Sequence, residues 1–78
     1  MNKIYEHYGD RKEVAGYELN GWYLMKKYYY GNSYNWIINK TGESHYFTSE
    51  FMKAVESNEV IICESFKDGK AKLLELAS

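Results

Sequence analysis

Seventy-eight residues, 45% of them hydrophobic, make a single small folding domain over 1–78 rather than a disordered chain. A formal net charge of −1 argues against a general nucleic-acid binder, which would usually be basic. The single cysteine, Cys63, excludes an internal disulfide, and no apolar run approaches the length of a membrane helix or a leader segment. A cytoplasmic protein is expected.

In chain order, the N-terminal Ile4–Tyr8 reads as an extra edge strand, and Asp10 with Glu13 as the cap of a short helical turn. Asn20-Gly21 is the strongest hairpin signal, because both residues tolerate the positive φ of a type I′ turn. It joins a strand over Val14–Leu19 to one over Trp22–Tyr30. Gly31-Asn32 fits a type II′ turn into a third strand over Tyr34–Lys40. Thr41-Gly42 marks the next turn, before a short strand at His45–Phe47.

The pattern then changes period. Thr48 or Ser49 can cap a helix in which Phe51, Met52 and Val55 form one apolar stripe, and Asn58 is a suitable stop. The β-branched run from Val60 to Phe66 predicts a further strand. Lys67-Asp68-Gly69-Lys70 reads as a turn, so a C-terminal hairpin pairing Cys63 with Leu74 and Ile61 with Leu76 is expected. A helix over Ala71–Ala77 is the alternative, since Ala, Lys, Leu and Glu favour helix. The fold class is α+β: an antiparallel meander with one short helix packed on one face and that C-terminal segment.

Tight turns set which residues share a face. With a two-residue turn at Gly31-Asn32, one face carries Tyr23, Met25, Lys27, Tyr29, Tyr34, Trp36 and Ile38. The other carries Tyr17, Leu19, Trp22, Leu24, Lys26, Tyr28, Tyr30 and Ile37. Neither is polar, whereas an antiparallel sheet usually keeps one polar face. One short helix covers one of them. The second must be closed by the C-terminal segment, by a second copy packed sheet to sheet, or by a partner. Lys26 and Lys27 point to opposite faces, so each must run along aromatic rings or stack on them as a cation.

No residues stand at the spacing of a catalytic or metal site. His7 and His45 are far apart in sequence, without the ligands zinc requires. Cys63, in the run Val60–Cys63, reads as a buried small hydrophobe unless His45 lies beside it in space. Ser44, Ser49, Ser57 and Ser65 lack a nucleophile elbow, Asp68-Gly69-Lys70 lacks a phosphate loop's glycine spacing, and Glu43 with Glu50 have no evident cleft. A non-enzyme without cofactor is expected.

What stands out is the aromatic content, 18% of the chain with nine tyrosines, concentrated around one turn. Tyrosine and tryptophan dominate binding hot spots. Lys26, Lys27, Tyr28, Tyr29, Tyr30, Tyr34 and Trp36 are therefore the candidate partner-binding residues of a protein-binding module. Lysines beside rings also suit a single nucleic-acid strand, held by charge and base stacking. That is the alternative function, with a plain structural homodimer as a third.

Gly16, Tyr17 and Glu18, the hairpin tryptophans Trp22 and Trp36, the Thr41-Gly42 turn and Phe47-Thr48-Ser49 together resemble small open reading frames of low-GC phages and prophages. The absence of proline and the lone Arg11 fit the same A/T-rich coding. This resemblance, over about residues 16–56, implies a phage or mobile-element accessory protein of the anti-defence, anti-CRISPR-like kind. Such proteins bind a host protein and inhibit it by occlusion.

Overall fold

The computed structural model describes residues 1–28, 33–42 and 49–78. It is a mixed α+β fold. Five antiparallel strands lie in sequence order, β1 (Asn2–Tyr8), β2 (Arg11–Leu19), β3 (Trp22–Tyr28), β4 (Tyr34–Asn39) and β5 (Ile61–Cys63). Two helices also lie among the described residues, α1 (Ser49–Glu56) between β4 and β5, and α2 (Phe66–Ala77) after β5.

The N-terminal strand is real and longer than expected, and it forms a hairpin with β2. Tyr8 pairs with Arg11, leaving Gly9-Asp10 as a two-residue turn with Gly9 at φ 61. Asp10 and Glu13 therefore cap no helical turn: Asp10 sits in the hairpin bend and Glu13 pairs with Glu6 in the ladder. At Ala15, β2 carries one residue more than β1, since Ile4 pairs with Gly16 while Tyr5 pairs with Val14. The Asn20-Gly21 turn forms as expected, with φ of 51 and 85 and Leu19 opposite Trp22.

The β3–β4 register differs from expectation. A two-residue turn at Gly31-Asn32 would set Lys27 opposite Trp36. Instead Tyr28 faces Tyr34, Lys26 faces Trp36 and Leu24 faces Ile38. Residues 29–33 thus lie between the paired ends, and the one-residue slip moves Tyr34, Trp36 and Ile38 to the other side of the sheet. The expected turn at 31–32 and the expected strand at His45–Phe47 lie outside the described residues.

α1 packs on the side of Met25 and Ile37. Phe51 is its anchor, in one buried cluster with Ala15, Met25, Ile37 and Val60, and Ala54 and Val55 pack alongside. Met52, expected in that stripe, is exposed instead. The apolar positions are i, i+3 and i+4, as one helix face requires. Asn58 ends the helix in the left-handed region at φ 62, with Asn58 N–H donating to Val55 C=O and Glu59 N–H to Ala54 C=O. These two bonds are the Schellman arrangement.

The C-terminal segment is the alternative helix, begun earlier at Phe66, and not the expected hairpin. Ser65 is its N-cap, its hydroxyl accepting from the Asp68 N–H at 3.1 Å. Gly69 is no turn residue: it is buried in the helix where α2 crosses the sheet, and a Cβ there would meet Leu24 Cδ1 at 2.7 Å. Glycine lets the backbone approach the sheet closely. Leu73 then completes a second buried cluster with Leu24, Trp36, Ile38 and Cys63. At the far end, Asn20 Nδ2 donates to the Ala77 carbonyl at 2.8 Å, so the β2–β3 turn caps α2. Leu74 is exposed and pairs with no strand. The two helices lie on opposite sides of the sheet, while β1 stays exposed at its edge.

Candidate functional site: an aromatic ridge with one lysine

The corrected register brings most of the candidate residues together. Lys26, Tyr28, Tyr34 and Trp36 share the α2 side of the sheet as two directly opposed pairs. Tyr28 and Tyr34 rings lie 5.3 Å apart, and Tyr34 meets Trp36 edge to face at 5.8 Å. Phe66, the first residue of α2, continues the row: its ring is 5.2 Å from Trp36 and 5.2 Å from Tyr17. These separations suit tilted and edge-to-face aromatic pairs. The row runs from the packed foot of α2 outward to the end of the sheet.

Exposure grades along it. Trp36 is buried, Phe66 borders on exposed, and Tyr34 and Tyr28 are 40% and 43% accessible. The Lys26 ammonium lies 5.0 Å from the Tyr34 ring centre and 5.9 Å from that of Trp36. This places a positive charge on a platform of ring faces. Sequence reasoning missed Phe66 and Tyr17, because α2 was expected to be a strand hairpin. The Ser65–Asp68 capping pattern was the signal that places Phe66 at a helix start.

Lys27 does not belong to this surface. It lies on the α1 side, fully buried, with its ammonium 3.9 Å from the Phe51 ring centre. Burial pushes its pKa below the usual lysine value of 10.5. The unfolded chain then holds the proton at a pH where the folded chain has released it, so stability rises with pH up to 10.5 and is flat below the folded pKa. The stability of the wild type relative to Lys27→Met is expected to increase with pH on the approach to 10.5. Urea unfolding at several pH values reads this directly, and a constant difference would mean an unshifted ammonium. Tyr29 and Tyr30 lie outside the described residues.

Elsewhere, Cys63 is buried in the second cluster, its thiol pushed up by burial and by Asp68 against the opposing effect of Lys72. It is the buried small hydrophobe expected. His45 lies outside the described residues. Among the described residues no three His, Cys, Asp or Glu side chains gather as metal ligands, and no helix is long and apolar enough to cross a membrane. A half-open cavity of about 580 Å³ lies at the opposite ends of β3 and β4 from the ridge, lined by Trp22, Asn39, Lys40, Ala54, Glu59 and Val60 among others.

No family model matches this chain, and neither a curated protein nor a solved structure does so.

Proposed function

We propose that the chain is a non-catalytic protein-binding module whose contact surface is the ridge of Lys26, Tyr28, Tyr34 and Phe66 over Trp36. One observation carries this reading. In a small domain with a helix on each sheet face, two half-exposed tyrosines are held in fixed contact with a lysine and a buried tryptophan. Rigid aromatic rings with a polar tip lose little entropy on binding and supply much of the energy at interface centres. The likeness to phage accessory proteins gives the reading its form: occlusion of a host factor by a cytoplasmic inhibitor.

The test compares host-cell proteins retained by the immobilised wild type and by the Tyr28→Ala/Tyr34→Ala variant. A species retained by the wild type and reduced at least about tenfold on the variant, roughly 1.4 kcal/mol of affinity, is expected. Equal retention of every species by the two columns overturns the assignment. Lys26 lying over two rings favours one second reading, a single nucleic-acid strand stacked on the same ridge. Its mark would be oligonucleotide affinity that falls steeply with salt.

A further inference from the structure

The sheet's two edges differ. β5 ends it with three residues, Ile61–Cys63, and β1 ends it with seven, Asn2–Tyr8. Every β1 residue except Ile4 is exposed, including Tyr5 and Tyr8. A long edge strand presents a row of backbone donors and acceptors ready to pair with another chain. Because Tyr8 pairs with Arg11 across a two-residue turn, Tyr8 and Glu6 direct their backbone groups toward β2. Alternation then turns those of Lys3, Tyr5 and His7 outward.

We propose that β1 is a self-pairing edge, at which a second copy of this chain joins antiparallel to make one continuous sheet about a two-fold axis at Ile4. This surface is separate from the ridge and does not depend on it. Two-fold symmetry allows only pairings between residues on the same side of the sheet, which leaves few registers. Centring on Lys3 or Glu6 sets like charges opposite each other, which destabilises a strand pair. Centring on Tyr5 sets the apolar Ile4 opposite Glu6. Centring on Ile4 avoids all of these: Ile4 meets Ile4, Asn2 meets Glu6, and the stem of Lys3 lies along Tyr5.

In that register the outward backbone groups of Lys3 and Tyr5 are the ones that meet. Ile4, half-buried and packed against the Phe51 cluster, would gain an apolar neighbour across the axis. The one residue of β1 that faces the core thereby continues the core into the second copy. Nothing comparable is possible at β5, whose three residues offer too short a ladder.

The mass in solution, measured by light scattering on the whole chain at about 100 µM, is expected to be that of a dimer that dissociates on dilution. Lys3→Pro should be monomeric with unchanged circular dichroism, because proline deletes an N–H directed outward and leaves the β1–β2 ladder intact. Ile4→Cys should oxidise to a disulfide-linked dimer and Tyr5→Cys should not, since facing residues of a non-hydrogen-bonded pair stand about 4.5 Å apart at Cα. A monomer at that concentration, a dimer that survives Lys3→Pro, or cross-linking at Tyr5 instead of Ile4 would each overturn the proposal.

Discussion

Phe51→Ala is expected to lower the free energy of unfolding by about 3–5 kcal/mol, the cost of truncating a buried phenylalanine. Phe51 is 1% exposed and is the residue through which α1 reaches Ala15, Met25, Ile37 and Val60. Its ring also lies beneath the buried Lys27 ammonium at 3.9 Å. Truncation removes the apolar contacts and also the ring face that offsets part of the cost of desolvating a charge. Small domains have only about 5–15 kcal/mol of total stability, so the variant should be partly unfolded in mild urea. Met52→Ala, one residue along the helix but 45% exposed, should change stability by no more than about 0.5 kcal/mol. Equal losses at the two positions would place α1 on the wrong face.

Leu73→Ala should cost about 2–5 kcal/mol. Leu73 is fully buried against Leu24, Trp36, Ile38 and Cys63, and it seats α2 on the second side of the sheet. Its neighbour Leu74 is 47% exposed, and Leu74→Ala should be nearly silent. The pair distinguishes the helix from a strand hairpin, in which Leu74 would be the inward residue facing Cys63. Loosening α2 also uncovers the Leu24–Ile38 side, so anilinonaphthalene sulfonate fluorescence should rise for Leu73→Ala and stay at the wild-type level for Leu74→Ala. A strong urea effect at Leu74 and none at Leu73 would contradict the placement of α2.

The strands β1–β5, the Asn20-Gly21 turn and the α+β class were legible in the sequence because each has a local cause. Positive φ at Asn20 and Gly21, and the β-branched and aromatic content of the flanking runs, act over a few residues. Two features were not legible. Pleat alternation fixes a register only when one face is polar, and here both faces are apolar, so Tyr34, Trp36 and Ile38 could be read onto either side. The choice rested on one turn, and Tyr28 opposite Tyr34 shows the pairing to be one residue away.

The second was α2. Asp68-Gly69 has the composition of a turn, and its glycine is explained only by a neighbour distant in sequence, the Leu24 side chain against which it packs. Ser65 followed by Asp68 was the local counter-signal. The aromatics stand out in the sequence as a set, but their division between faces and what closes the second face both depend on contacts distant in sequence. Among the described residues, Tyr28 and Tyr34 lie exposed on the α2 side, beyond the foot of that helix.

If the core closes without that ridge, its tyrosines are available for another molecule. The urea midpoint of the Tyr28→Ala/Tyr34→Ala variant measures this most directly. A stability loss below about 1.5 kcal/mol for the pair, with the cooperative transition retained, is expected of half-exposed rings. A loss of about 3–5 kcal/mol, matching Phe51→Ala, would contradict it and make the ridge part of the core.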